Sequence, residues 1–183
     1  VTLENQPVLT GSLVRLEQLS EKHFGGYWAM MSDPEGKRLT GTQQEFTQEL
    51  TRHWLATRTE HNDRADWAIM RANTFVGEIV LNNLNTANQS VNFRISLVGP
   101  HAYGFGYGTE AIRLVLDYAF DVAGLHRVEL EVYDFNPRAR HVYTKCGFIE
   151  EGTRRDALLW DGKWHDAITM AILATDPRPA HTP

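Results

Sequence analysis

The order of extended and helical runs in this chain predicts an α+β domain: a mixed, mostly antiparallel sheet of six to seven strands, flanked by helices. Three observations carry the prediction. Residues 66–71, 74–82 and 90–98 read as three strands in a meander, joined only by turn residues such as Ala72-Asn73. A single strand–helix–strand crossover follows, whereas a doubly wound sheet would alternate throughout. The chain then closes with two extended runs, 148–159 and 163–174, across Asp161-Gly162, a two-residue hairpin signal.

The remaining elements follow in order. Residues 13–16 read as a short strand. Ser20 can cap a helix over 21–31, and helical spacing covers 45–60. Ala111, Ile112, Val115, Leu116, Ala119 and Val122 recur at helical spacing, and Gly124 ends that helix. Residues 127–133 alternate, with Val128, Leu130 and Val132 on one face. Asn136-Pro137 opens a further helix with an N-cap and a proline at its first position. Ala139, Val142, Tyr143 and Cys146 form its buried stripe, and Gly147 terminates it. Residues 1–176 are expected to form one domain, and the proline-rich 177–183 a flexible tail.

Composition narrows the function classes. With 183 residues and 42% hydrophobic content, the chain suits one domain of about 100–200 residues. Its net charge of −5 is evenly spread: residues 1–90 hold 8 Lys/Arg and 11 Asp/Glu, residues 91–183 hold 10 and 12. No basic stripe exists, which argues against a nucleic-acid partner. Cys146 is the single cysteine, so no intrachain disulfide can form and a reducing compartment is expected. No apolar run approaches a membrane span, and the expected location is cytoplasmic. The histidines show no metal-ligand spacing, and no metal is expected.

The sharpest local feature is Tyr103-Gly104-Phe105-Gly106-Tyr107-Gly108-Thr109-Glu110-Ala111, a glycine loop that opens a helix. Glycines let backbone N–H groups approach an anion at the positive helix end, where a pyrophosphate can sit. A tight turn alone would also explain them. A P-loop is excluded, because Thr109-Glu110 follows Gly108 where its Lys-Ser/Thr pair should stand. The dinucleotide fingerprint is matched only weakly, since Thr109 takes its last glycine place counted from Gly104 and Ala111 takes it counted from Gly106. Glu129 and Glu131 lie where a ribose-binding acid would, yet they alternate as solvent-facing strand residues do.

Three ordered segments resemble the GNAT N-acetyltransferase family: the loop 104–111, Asn136-Pro137-Arg138-Ala139-Arg140-His141-Val142-Tyr143, and Lys145-Cys146-Gly147-Phe148. The first fits the family's Q/R-x-x-G-x-G/A acetyl-CoA motif and the second its N-x-x-A-x-x-x-Y helix. The likeness runs from about Gly77 to Ile172. Leu125-His126-Arg127-Val128-Glu129-Leu130 and Glu150-Glu151-Gly152 resemble the ribosomal-protein Nα-acetyltransferase branch. One departure stands out: Tyr103 occupies the Gln/Arg place and cannot supply a charge near the pyrophosphate, which bears on affinity.

The resemblance implies a GNAT fold and direct acetyl transfer from acetyl-CoA to a primary amine. The implied acceptor is a protein or peptide N-terminal α-amine. Alternatives are a small-molecule amine (aminoglycoside, polyamine or amino-acid-like metabolite), a non-catalytic acyl-CoA sensor, or a nicotinamide-dependent oxidoreductase. A homodimer is compatible with the family. It further implies that Phe105, Gly106, Tyr107, Gly108 and Thr109 hold the pyrophosphate and that Leu97, Val98 and Gly99 pair with the pantetheine arm. Asn136 would reach the same arm while capping its helix. Tyr143 would protonate the departing thiolate, set against a plain core tyrosine. Glu78, which shares a strand face with Val76 and Val80, is the expected base, set against an edge-strand glutamate in solvent. An α-amine of pKa about 7.7–8.0 needs a base less than a lysine near 10.4 does. Cys146 reads as packing, with no acetyl-cysteine step. Trp28, Trp67, Asn83, Trp160 and Trp164 could line an acceptor pocket or serve as core and rim.

Overall fold

A computed structural model describes residues 1–180. Its strands are β1 (Leu9–Thr10), β2 (Arg15–Gln18), β3 (Ala65–Arg71), β4 (Thr74–Asn85), β5 (Ser90–Leu97), β6 (Arg127–Tyr133), β7 (Ile149–Trp160) and β8 (Lys163–Leu173). Its helices are α1 (Phe24–Ser32), α2 (Pro34–Thr40), α3 (Gln48–Ala56), α4 (Tyr107–Asp117) and α5 (Pro137–Lys145). All eight strands join one sheet in the order β1-β2-β3-β4-β5-β6-β8-β7. Every pairing is antiparallel except β5 with β6. The count exceeds the expected six to seven because β1 has two residues, too few for alternation to register. No helix among the described residues is long and apolar enough to cross a membrane.

Alternation along the central strands divides the interior into two layers. Trp67, Ile69, Ile79 and Leu81 face a large core with Ile112, Val115 and Leu116 of α4 and Tyr143 of α5. Ala68 and Met70 face the other way, onto Tyr27 and Met30 of α1 and Leu55 of α3. Ile112, Val115 and Leu116 are at most 1% exposed, and each such burial contributes about 1.5–3 kcal/mol. Helices therefore cover both faces of the sheet, and α4 and α5 share one of them.

The helix ends show where local chemistry was readable. Asn136 Oδ1 accepts from Ala139 N at 3.2 Å, as the Asn-Pro signal requires. Asp33 and Pro34 carry the same signal for α2, which the sequence reading passed over: Asp33 Oδ2 accepts from Gly36 N at 2.7 Å. Gly41, with φ +65°, ends that helix in the left-handed region. The helix expected over 45–60 is shorter, because Thr47 caps it by accepting from Leu50 N. The stretch Arg58–Glu60 is a separate 3-10 turn. The helix that α4 begins ends as a π turn over Tyr118–Val122, before Gly124.

Both ends of the chain are tied to α4. Glu110, in its first turn, accepts from Ser12 N and Oγ, Leu13 N and Val14 N at 2.7–2.9 Å. Arg178 donates to Asp117 at 2.7 Å and Asp121 at 2.9 Å. Residues 177–180 of the expected tail thus pack on the domain, while 181–183 lie outside the described residues. At the opposite edge, β7 has no outer neighbour among the described residues, and its pairing with β8 shifts register at Glu150/Gly152 and Arg154/Leu158.

The Glu110 anchor yields a prediction. Burial alone would raise this carboxyl, but the donors from Ser12, Val14 and Leu13 outweigh it and hold the group below its ordinary 4.5. A depressed carboxyl stabilises the fold above its unfolded value and loses that contribution as pH falls through the folded one. Glu110→Gln should therefore cost about 1 kcal/mol or more at neutral pH, because amide donors go unmet. In thermal melts, the gap between native and variant should narrow steadily below about pH 4.5.

Candidate active site

The site opens where two strands part. The parallel ladder between β5 and β6 holds only Ser90↔Arg127, Val91↔Val128 and Asn92↔Glu129. Beyond these pairs β5 stays with β4 as far as Leu97, and β6 stays with β8 as far as Tyr133. The wedge between them forms a cavity of about 820 Å³, lined by Phe93, Ile95 and Leu97 on one side and Leu130 and Val132 on the other. The glycine loop and α5 close one mouth, and Met30, Met31, Lys37 and Thr40 of α1 and α2 close the other. Gly41 seats α2 there, since a Cβ at this position would lie 2.6 Å from the Tyr133 ring.

The glycine loop has the conformation its composition requires. Gly104 and Gly106 take φ +80° and +82°, which side-chain-bearing residues rarely adopt. Nothing lies within 4 Å of a Cβ added at Gly104, so its backbone faces open space. Gly106, Tyr107, Gly108 and Thr109 line the cavity at the positive end of α4. Phe105 does not: it is 59% exposed and stacks on the Tyr107 ring at 5.5 Å.

At the end of β5 the three expected residues separate. Leu97 lines the cavity, and its backbone faces the open side because alternate residues of an antiparallel pair face opposite neighbours. Val98 donates its N–H to Val76 O at 3.0 Å and so belongs to the β4 ladder. The Gly99 carbonyl accepts from Ala102 N at 2.9 Å, and Gly99 lies off the cavity wall.

Tyr143 and Asn136 both reach the cavity from α5. Tyr143 is 8% exposed and packs edge-on to Phe93, with centroids 6.1 Å apart. Its hydroxyl has no hydrogen-bond partner among the described residues, unlike the satisfied hydroxyl of a plain core tyrosine. Burial raises its pKa, with Arg138 as the largest opposing charge, so the phenol keeps its proton at neutral pH. The Asn136 carbonyl is used by the cap, which leaves its amide NH₂ free to donate. Cys146 is 1% exposed and its thiol is pushed up to about 11 by burial, which suits packing and not attack.

Glu78 is not the edge-strand glutamate in solvent that one reading offered. It stands opposite Ala68 on a central strand, 2% exposed, not at a solvent edge. It is not on the cavity wall either. Arg94, which is, donates to Glu78 Oε2 at 3.3 Å, while Oε1 has no partner among the described residues. Burial raises the Glu78 pKa, and the Arg94 charge opposes it less strongly.

Each of Trp28, Trp67, Asn83, Trp160 and Trp164 is absent from the wall. Trp67 is core, with its indole N–H donated to Pro7 O, and Trp164 is 60% exposed. The wall instead carries Glu129, Glu131 and Glu151. Alternation of 127–133 set Glu129 and Glu131 on the face opposite Val128 and Leu130, while nothing in the sequence placed Glu151 beside them.

A profile of the Acetyltransferase (GNAT) domain matches residues 14–149. The chain belongs to the GNAT acetyltransferase family. A spermidine N(1)-acetyltransferase of Vibrio cholerae is 35% identical over 98 residues, covering 54% of this chain and 56% of that one. The [Ribosomal protein uS5]-alanine N-acetyltransferase of Escherichia coli is 29% identical over 82 residues, covering 45% and 42%. The chain thus spans about half the length of the curated relatives it matches. The crystal structure of a Vibrio cholerae spermidine N-acetyltransferase in complex with CoA and spermine superposes with a TM-score of 0.84, covering 90% of this chain and 98% of that one. At 23% identity this likeness establishes the GNAT fold, and the mixed, mostly antiparallel sheet stands as expected.

Proposed function

We propose that this GNAT domain transfers an acetyl group from acetyl-CoA to a primary amine of a small polycation of the polyamine type. The observation that carries the acceptor class is the row of carboxylates on the β6 side of the wedge. Glu129 and Glu131 are alternate residues of one strand, about 6.6–6.8 Å apart. That spacing suits ammonium groups separated by a few methylenes. Glu129 and Glu151 already accept from Arg127, and Glu131 from Arg154. A carboxylate has about four acceptor positions, so each retains capacity for a further donor. The spermidine acetyltransferase relatives support this class ahead of the protein N-terminus that the sequence favoured.

The residues present fit acetyl-CoA: open positive-φ glycines at a helix N-terminus, an unpaired strand edge at Leu97, and a free Asn136 amide. When bound, acetyl-CoA supplies the activated thioester. The chain's own groups then divide the work. Amides of 106–109 hold phosphate oxygens, Leu97 pairs as a strand neighbour would, and Asn136 donates its amide. Tyr143 keeps its proton until a thiolate develops beside it, then donates. A polyamine is mostly charged at neutral pH, so the incoming nitrogen must lose a proton. Glu78, raised by burial, accepts that proton through solvent past the half-exposed Arg94.

Thiol release from acetyl-CoA should be fastest with spermidine or spermine, slower with peptides bearing a free α-amine, and absent with Nα-blocked peptides lacking lysine. Faster turnover of the free α-amine peptides would restore the N-terminal reading. Tyr143→Phe should lower kcat by about a hundredfold or more while CoA affinity in calorimetry holds, since packing is kept and one hydroxyl is lost. Unchanged turnover would return Tyr143 to a core role. For Glu78→Gln, the acidic limb of the pH–rate profile should disappear along with most activity. A profile identical in shape to that of the native protein would remove Glu78 from proton transfer.

A further inference from the structure

The glycine loop lacks a charged side chain at position 103, and α5 brings one to that place. The Arg138 guanidinium lies over the Tyr103 ring, with Cζ 3.6 Å from the ring centroid. Both residues line the cavity beside Gly104 and Gly106. The other cations on the wall are mostly committed: Lys37 to Glu45, Arg94 to Glu78, and Arg127 to Glu129 and Glu151. Arg138 has no carboxylate partner among the described residues. Neither has Lys145, but it lies seven residues further along α5, about 10 Å from Arg138 along the helix axis.

A guanidinium seated over an aromatic face is restrained in position while it keeps N–H groups to donate. Those groups are suited to two oxygens at once, as a phosphate offers. Burial raises the Tyr103 phenol more than Arg138 lowers it, so the ring stays neutral. The stack also restrains a long side chain before any ligand arrives, which lowers the entropy lost on binding.

We propose that Arg138, seated on the Tyr103 ring, grips the diphosphate of acetyl-CoA and supplies the cation that the loop itself does not carry. Tyr103 is then the positioning residue and Arg138 the one that touches ligand. The assignment rests on the acetyl-CoA reading above and adds to it a specific anion contact.

Isothermal titration with CoA, dephospho-CoA and pantetheine tests it without turnover. Arg138→Ala should weaken CoA and dephospho-CoA alike, by about ten- to a hundredfold, and leave pantetheine unchanged. Tyr103→Phe keeps the ring face and should stay within about threefold of native. Tyr103→Leu removes that face and should lose about three- to thirtyfold for both phosphorylated ligands. The double variant Arg138→Ala/Tyr103→Leu should be no weaker than Arg138→Ala alone, because the ring acts through the guanidinium. Native affinity in Arg138→Ala overturns the proposal. So does a loss shared by pantetheine, which would mean general damage, or a loss with CoA alone, which would place the contact at the 3′-phosphate. Additive losses overturn the seating role of Tyr103. If the native protein binds no CoA, the acetyl-CoA reading fails first, and a native protein that binds CoA while Arg138→Ala matches it sinks only this inference.

Discussion

Strands β5 and β6 are each committed on the outer side, β5 to β4 as far as Leu97 and β6 to β8 as far as Tyr133. Between themselves they share three residue pairs before diverging. A parting of this kind leaves main-chain N–H and C=O groups facing each other across a gap too wide to bridge. Such groups need a partner, whether water or an extended polar molecule. The cavity is therefore a consequence of how the sheet is paired, and every functional group described here is arranged around it. Because each strand is fixed by its outer neighbour, the gap cannot close by a local adjustment of either one.

The wedge also sorts charge. On the α5 side stand Arg138 and Lys145, neither held by a carboxylate among the described residues, together with the amides at the head of α4. On the β6 side stand Glu129, Glu131 and Glu151. A ligand with an anionic end and an acceptor with several cationic centres would enter opposite halves and meet at the divergence point. Tyr143, whose hydroxyl has no partner among the described residues, lies on the wall they share. The loop that heads α4 is in turn braced from behind, since Glu110 ties it to residues 12–14 through four donors. The main-chain geometry of the anion end thus depends on a contact almost a hundred residues away in sequence.

Much of this was legible in the chain because local chemistry carried it. Alternation marked the meander, Asp161-Gly162 marked the last hairpin with φ +47° and +74°, and Asn136-Pro137 marked α5. The Asp33-Pro34 start of α2 and Gly41 at its end were equally plain signals that went unread. Other features had no local signature. Glu78 reads either as a base among apolar neighbours or as an edge residue in solvent until β3 and α1 bury it, and Val98 reads as part of the open edge until β4 claims its N–H. Tyr103 looked like a loss of charge because the compensating Arg138 stands 35 positions further on, in another element. The tryptophans drew attention by size, yet size says only that they must pack somewhere.

The free edge of β7 bears on how this protein behaves at high concentration. Twelve residues whose outer backbone edge has no partner among the described residues offer a template on which another chain's strand could grow. Its register against β8 is interrupted twice, however, leaving regular stretches of three residues at 152–154 and again at 158–160. Each interruption kinks the strand and turns its polar backbone groups out of line. Glu150, Glu151, Arg154, Arg155 and Asp156 then set charges of both signs along the same border. An incoming strand would meet a ragged, charged margin that supports only brief contact, so the sheet has a built-in terminus against ribbon-like growth.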